Sequence, residues 1–492
     1  EIRIRDWSSD VCSSDLGPEI MSATLELLKA AGGVQAIEFT PVEMGKACFD
    51  RGETRGMTSA AIETVEACGL LLKGPMETPK GGGGKSINVT ARKMWNAFAN
   101  LRHFRTLPGV MTPYSRSGVN VDFFIVRENI EDTYGGIEHR LSNDVVQCKR
   151  LISAPGSDAV HRFAFETARR LGIRKVHCGH KANIMKMTDG LFLERFKAVA
   201  ADYPEIETAD VIVDALCMNL VMKPQQYRMI VLPNLQGDIV SDLAAGLVGG
   251  LGFAPSANIG NHISIFEAVH GTAPDIAGKG IANPCSLILS TIMLLRHVGM
   301  MGTAARLENA LLASLEQGVR TGDFGDAAKP ALGTMDFVRE VAKRLGQKPG
   351  LIAAVPDAED RVTFKPPVKP FSAAAVHTFG PGKTEVVGAD VYLDAAEGCH
   401  ELAKHLQAIV QETPFRLKLI SNRGTQVWPT GSVYTDCVDY WRARFERVEG
   451  AQVAQAQTID LMQRIAAKYT ICSYELLRTF DGKPGFSMAQ GQ

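Results

Sequence analysis

Between residues 17 and 72 the chain alternates helix and strand patterns in an order that few folds accommodate. Gly17-Pro18-Glu19-Ile20 opens an amphipathic helix carrying Ile20, Leu25, Leu27 and Leu28, with proline in the first turn, where its missing N–H costs nothing. A strand over 36–42, a helix over 58–67 and an apolar strand over 69–72 follow. Helices inserted between strands are the crossovers that parallel strands need, so this order predicts a doubly wound α/β fold. Further apolar strands over 122–126, from Lys175, and over 210–214 extend the pattern.

At 492 residues the chain exceeds one ordinary domain. Six prolines crowd into residues 348–382 (Pro349, Pro356, Pro366, Pro367, Pro370 and Pro381), which reads as an extended linker between a domain over 17–347 and another over 383–492. The second domain reads as strands over 385–393, 415–420, 438–448 and 471–477, with helices over 398–409 and 458–469. That β-α-β-β-α-β order is ferredoxin-like, an α+β domain. It carries no catalytic constellation, so regulation or subunit contact is its expected use. Residues 1–16 stand apart, because DWSSDVCSSDL coincides with one reading frame of a common DNA-sequencing adapter. They are expected to be non-native, which leaves the first domain truncated and short of its first strand.

A net charge of -1 without any Lys/Arg block gives no electrostatic footprint for nucleic acid. The apolar run over 287–295 is too short to span a membrane and carries Ser290 and Thr291, so it reads as a core helix. Ten cysteines without a CxxC pair or zinc-like spacing read as reduced thiols of a cytoplasmic protein. Four glycines before Lys85-Ser86 imitate a nucleotide-binding P-loop, but Pro79 stands where that motif needs glycine. A flexible loop whose backbone approaches a small ligand is the better reading.

Candidate chemistry gathers around NLQGDIVSD. Asp238 and Asp242 are four apart at a helix start and share one face, which suits half of a site for a hard divalent cation, although spacing alone favours the plainer reading of an N-cap and an exposed acid. Asp214 ends a predicted strand and adds a third carboxylate at an element end. Arg92, Arg102 and Arg127, beside Ser86 and Asn88, are set among apolar residues. They are either surface arginines or a pocket for several carboxylates, which guanidinium forks bind bidentately. Tyr134 is a candidate proton donor or a half-buried turn residue. Lys181 follows a strand, where open α/β sheets place ligands, or is an ordinary surface lysine. His180 is expected to pack or to bond backbone rather than bind metal. The loop EAVHGTAPDIAG over 267–278 does not fit the Rossmann fingerprint, so a bound nucleotide would need another loop architecture.

Five blocks in order, KGPMETPKGGGGKSINVTARK, RENIEDTYGGIEH, HKANIMK, NLQGDIVSDLAAGLVGGLGFAPSANIG and FEAVHGTAPDIAGKGIANP, resemble the isocitrate/isopropylmalate dehydrogenase family over residues 17–345. FRLKLISNRGTQVWP and FDGKPGFSMAQG resemble the C-terminal extension of the long bacterial isocitrate dehydrogenases. The resemblance implies a two-subdomain α/β fold and oxidative decarboxylation of isocitrate to 2-oxoglutarate and CO₂ with reduction of a nicotinamide cofactor. It implies that Ser86 and Asn88 contact the carboxylate that distinguishes isocitrate from isopropylmalate, a strong discrimination because those polar groups go unpaired against an isopropyl group. By the same resemblance Arg92, Arg102 and Arg127 hold the other carboxylates. Asp238 and Asp242 of one subunit, with Asp214 of the other, bind Mg²⁺ or Mn²⁺. Lys181, also from the other subunit, assists proton removal from the hydroxyl and Tyr134 delivers a proton to C3. An obligate homodimer with shared active sites is implied.

For the cofactor, the resemblance points to Thr78, Glu267, His270, Gly271, Thr272, Ala273, Asp275, Ile276 and Asn283. NADP-using members carry Lys-Tyr where this chain has Asp275-Ile276; a carboxylate there bonds ribose hydroxyls and repels a 2′-phosphate, so NAD is expected, with NADP the alternative. The family also holds isopropylmalate and homoisocitrate dehydrogenases and catalytically silent regulatory subunits. Against a silent subunit, Lys181, Tyr134, the three aspartates and the three arginines are all present.

Overall fold

A computed structural model of the chain describes residues 2–8, 16–32, 37–76, 86–366, 382–432 and 434–488. They divide into two compact units, one of residues 1–134 with 151–375, the other of 135–150 with 376–492.

The larger unit is built on strands β1 (Ile2–Ser8), β2 (Ile37–Val42), β3 (Leu70–Lys73), β4 (Ala99–Arg105) and β5 (Asp122–Glu128), and, after the hairpin β6 (Glu138–Arg140) and β7 (Val146–Cys148) of the other unit, β8 (Lys175–His180), β9 (Glu207–Ile212), β10 (Met229–Leu232), β11 (Pro255–Ile259) and β12 (Ser264–Ala268). Their order in one sheet is β2-β1-β3-β12-β11-β4-β5-β10-β8-β9. Both ends are parallel: β2, β1, β3 and β12 on one side, β5, β10, β8 and β9 on the other. Between them β12, β11, β4 and β5 pair antiparallel. Two parallel wings joined by an antiparallel centre are the two-subdomain α/β arrangement the sequence predicts.

Central strands such as LLLK (β3) and MIVL (β10) are buried throughout, as strands covered on both faces must be. The helix Cys285–Val298 lies in the core of one wing, where Phe266, Leu287, Ile288 and Leu311 pack together. Its hydroxyls stay satisfied in that apolar setting: Ser286 donates to the Ala254 carbonyl (2.5 Å), Ser290 to that of Glu267 (2.8 Å) and Thr291 to that of Leu287 (2.8 Å). Among the described residues no helix is long and apolar enough to cross a membrane.

Three expectations need correction. The sheet does not lack a first strand: residues 2–8 form β1, parallel to both β2 and β3. Strand pairing is made by backbone groups, which any extended segment supplies. The first half of the proline-rich stretch is no free linker. Asp360 bridges Met300, Arg361 N–H donates to Gly299, Thr363 N–H donates to Val298, and Phe364 leans on the core; residues 367–381 lie outside the described part. Asp214 does not end a strand, since β9 stops at Ile212 and Asp214 begins the helix Val213–Met222.

The smaller unit contains β13 (Thr384–Asp394), β14 (Phe415–Asn422), β15 (Thr425–Trp428), β16 (Tyr440–Arg447), β17 (Thr470–Phe480) and β18 (Lys483–Pro484), with helices Cys399–Val410 and Gln455–Ala466. The sheet order β15-β14-β16-β13-β17-β18 keeps the ferredoxin-like arrangement of the four expected strands and adds a short strand at each edge. Leu402, Leu406, Leu461 and Ile465 of the helices pack on Val391, Phe445 and Ile420 of the sheet. At Gly388 the β13 register shifts, and a Cβ there would lie 2.0 Å from the Phe445 carbonyl oxygen. Backbone cannot swing aside, so Gly388→Ala is expected to destabilise this unit by about 1–3 kcal/mol. A thermal melt of the intact protein reads this as a lower transition for the variant; an unchanged melt would refute it.

Candidate active site

The site is organised by the helix Asn234–Val248, which begins where the buried strand β10 ends. Its N-cap position is Pro233, which offers no side-chain cap. Asp132, fully buried and at φ +66°, accepts the Leu235 N–H at 3.0 Å instead. A carboxylate there satisfies an orphan donor and complements the helix dipole. The segment RENIED thereby fixes the helix that presents Asp238 and Asp242 on successive turns.

Arg127, near the end of β5 and 1% exposed, ties strand to helix. Its Nε and Nη2 donate to Asn234 Oδ1 at 3.0 and 2.7 Å, and its Nη1 pairs with Asp238 Oδ1. The Tyr134 hydroxyl donates to Asp238 Oδ2 at 2.5 Å while the Arg127 guanidinium lies 4.9 Å over the tyrosine ring. Lys93 Nζ donates to the Tyr134 carbonyl at 2.6 Å and so fixes the turn that carries it. Arg102, from β4, donates to Asn100 Oδ1 and Ser241 Oγ, both at 2.7 Å, and stands 3.8 Å from Asp238 and 3.9 Å from Asp242. Arg92, on the helix Ile87–Met94, pairs with Glu267 Oε1 at 2.6 Å.

Arg102 and Arg127 meet at Asp238, and both feel the charge of Arg92. Burial, followed by the charge on Arg127, lowers Arg102 to about 10, and Arg92 adds to this. Burial likewise lowers Arg127, against the attraction of Asp238 and with the repulsion of Arg92. Burial works to raise Asp238, but Arg127, the Tyr134 hydroxyl and Arg102 together hold it below its ordinary value. Asp242 is pushed up by burial, against Arg102 and with Asp238 adding to the shift. Tyr134 is raised, chiefly by burial, so its phenol keeps its proton. Three cationic forks that feel one another's charge favour a polyanionic ligand. Asn88 Oδ1 and Arg92 Nε are buried without a hydrogen-bond partner, polar atoms that a bound ligand would serve. Ser86 stands at the N-cap of the same helix, where its carbonyl accepts from Thr90.

Lys181 and Asp214 are brought to each other rather than to this cluster. Lys181 Nζ pairs with Asp214 Oδ1, and the Lys181 N–H is held at 2.6 Å by Asp189, which also accepts from Gln236 at 2.8 Å. Among the described residues no group of three His, Cys, Asp or Glu side chains could hold a metal. Asp238 and Asp242, one helical turn apart, are donors of the hard-oxygen type that suits Mg²⁺ or Mn²⁺. His180 is buried, with Nε2 at 3.1 Å from Asp210 and Nδ1 accepting from the Ala182 N–H, the packing role expected of it.

Of the cofactor residues, Thr78 lies outside the described part. Glu267, next to last in β12, is buried, paired with Lys73 and Arg92 and accepting from Asn258 at 2.7 Å; those cations hold its pKa far below the ordinary value against the effect of burial. It is a buried counter-ion that orients Arg92. His270, Gly271, Thr272 and Ala273 follow in a loop where Ala273 sits at φ +40°. His270 Nε2 is buried without a partner, and burial lowers its pKa, so it presents a neutral ring. Asp275 is exposed and Ile276 leans on the core. Asn283 caps the helix Cys285–Val298 through the Cys285 N–H (3.0 Å) and donates to Asp323 at 3.1 Å. Sequence reasoning passed over Asn234, Asp132, Asp189 and Lys73. Asn234, Asp132 and Lys73 lie inside the family-like motifs, but nothing in spacing separates a positioning side chain from a surface one.

The fold and this site define a decarboxylating dehydrogenase scaffold. Residues 11–341 match the isocitrate/isopropylmalate dehydrogenase family, and residues 384–492 match the C-terminal domain of bacterial isocitrate dehydrogenase. The chain belongs to the isocitrate/isopropylmalate dehydrogenase family. It is 44% identical to the NADP isocitrate dehydrogenase of Thermus thermophilus, covering 97% of this chain and 94% of that one. It is 42% identical to a probable mitochondrial NAD isocitrate dehydrogenase subunit alpha of Drosophila melanogaster, over 67% of this chain and 85% of that one. Among solved structures, one of a Thermus thermophilus protein superposes with a TM-score of 0.90 at 41% identity, covering 100% of this chain and 96% of that one. The isocitrate dehydrogenase of Methylococcus capsulatus gives a TM-score of 0.66 at 39% identity, over 70% of this chain and 100% of that one.

Gly237 shows how tightly the site is set. A Cβ there would meet Arg127 Cγ at 2.7 Å and Cβ at 2.8 Å. Alanine improves helix propensity by about 1 kcal/mol but pushes the guanidinium off its seat. Gly237→Ala is therefore expected to lower kcat/KM by about a hundredfold, since misplacement by an ångström costs that much. Steady-state nicotinamide reduction measures this, and wild-type kcat/KM would show that Arg127 can shift freely.

Proposed function

We propose that the chain is an isocitrate dehydrogenase that oxidatively decarboxylates isocitrate to 2-oxoglutarate and CO₂ with reduction of NAD. The convergence of Arg92, Arg102 and Arg127 beside Asp238, Asp242 and Tyr134 carries this reading. Three guanidinium groups suit a substrate with three carboxylates, and the polar Ser86 and Asn88 suit a carboxylate better than an isopropyl group. Asp238 and Asp242, with Asp214 of a second copy, would hold a divalent cation, which would supply Lewis-acid polarisation of the bound substrate.

The chain's own residues divide the remaining work. Arg92, Arg102 and Arg127 hold the carboxylates, and Glu267 keeps Arg92 aimed. Lys181 of the partner subunit takes the hydroxyl proton as hydride leaves C2 for the nicotinamide. After CO₂ departs, the neutral Tyr134 phenol supplies a proton to C3. A homodimer accords with Met218, Val221 and Met222 exposed on the helix Val213–Met222, and Leu235 and Ile239 exposed on Asn234–Val248, an apolar surface beside Asp214.

Relatives matching nearly the full length are named for NADP, while the NAD-named relatives match about two thirds of the chain. Preference turns on Asp275 and Ile276. A carboxylate near a 2′-phosphate costs about 1–4 kcal/mol per unit charge at 4 Å, depending on dielectric. We expect kcat/KM with NAD to exceed that with NADP by about tenfold or more, measured with isocitrate and Mn²⁺; a higher value with NADP would overturn the preference. Asp242→Asn should cut turnover with isocitrate by more than about a hundredfold, a greater effect than losing a residue behind a metal ligand. Wild-type turnover by that variant, assayed at limiting Mn²⁺, would remove Asp242 from the metal site.

A further inference from the structure

The hairpin within FRLKLISNRGTQVWP, in the smaller unit, breaks a local rule. β14 and β15 are joined by the two-residue turn Arg423-Gly424, closed by the pair Asn422 and Thr425. Both turn residues have positive φ, +51° for Arg423 and +81° for Gly424. Asn-Gly fills such a turn without strain, whereas arginine is disfavoured there. Strain of this kind persists where the surroundings use it.

Arg423 lines a cavity of about 230 Å³ together with Arg442, Ser421, Tyr392 and Tyr440. That is the share of about eight liquid waters, room for a small metabolite. No acid lines it. Asp390, the nearest carboxylate to Arg442, is already held by two Arg444 hydrogen bonds of 2.8 Å, and stays 3.7 Å from Arg442 Nε. Arg442 Nε is buried without a hydrogen-bond partner, and among the described residues Arg423 makes no ion pair. The Tyr392 and Tyr440 rings stack 5.5 Å apart beside them. Two arginines and two tyrosines around one small cavity, with Asp390 the one carboxylate paired to either arginine among the described residues and that one shared with Arg444, match the oxygens of a carboxylate or phosphate group.

We propose that this cavity of the C-terminal domain binds a small dianion, through Arg423 and Arg442, independently of the dehydrogenase site. The test uses the intact protein and calorimetric titration, with inorganic phosphate in one arm and succinate in the other, for wild type, Arg423→Gly and Arg442→Gln. Active-site arginines also take anions, so the readout is the difference between wild type and variants. Wild type should bind one more anion per chain than either variant in at least one arm; the responding arm tells a phosphorylated ligand from a dicarboxylate. Arg423→Gly places in the turn the residue it prefers, so its Tm without anion should equal or exceed that of wild type. Equal stoichiometry in wild type and Arg423→Gly in both arms, or a lower anion-free Tm for that variant, would overturn the proposal.

Discussion

The tie between Arg127, Asn234 and Asp238 is the interaction on which the active site depends. A guanidinium 1% exposed is costly unless every N–H is served. Asn234 takes two of them and Asp238 another, so strand β5 and the helix Asn234–Val248 are locked in one register. The lock requires close approach, which explains glycine at 237, directly against the arginine stem. It also compels the aspartate to face the pocket, because its other oxygen is taken by Tyr134. Charge burial here stores a demand for ligand as much as it stabilises the fold.

The antiparallel centre of the sheet carries the same logic away from the substrate. Asn100, Asn129 and Asn258 sit on neighbouring segments and are fully or nearly fully buried. Asn258 Oδ1 accepts from Asn100 and Asn129, both at 2.9 Å, and its amide reaches Glu267, which in turn holds Arg92. Asn100 also receives Arg102. One buried polar network therefore orients two of the three arginines, and any gap in it would leave uncompensated groups in an apolar sheet. Rigidity at the seam between the parallel wings is what lets arginines from separate elements meet.

Much of this was legible in the sequence, for physical reasons that differ by element. The helix-strand alternation and the ferredoxin-like order were readable because apolar periodicity records which faces are buried. Leu402, Leu406, Leu461 and Ile465 fall inside as their spacing demands. The arginines and aspartates were readable as candidates, but spacing alone left them as either a pocket or a surface, since charge in sequence does not reveal burial. Asp214 was misplaced onto a strand because DVIVD has strand periodicity that ends two residues early. The prolines over 348–366 were misread for a related reason. Composition marks a segment that lacks regular structure, yet backbone groups of Arg361 and Thr363 still pair with the helix end at Val298 and Gly299.

The separation of Asp214 and Lys181 from Asp238 follows from the topology. Lys181 leaves the end of β8 and Asp214 begins the helix after β9, both on the edge of one parallel wing, whereas Asp238 faces the sheet centre beside β5. Within one chain the lysine and that aspartate neutralise each other, so neither is available to the pocket. The helix carrying Asp214 nonetheless exposes Met218, Val221 and Met222, side chains a lone domain gains nothing by leaving in water. Under the proposed function, burying that face against a second copy recovers the apolar area and brings a third carboxylate to the two on the helix Asn234–Val248. On the proposed reading, then, one apolar surface drives association and completes the chemistry at the same time.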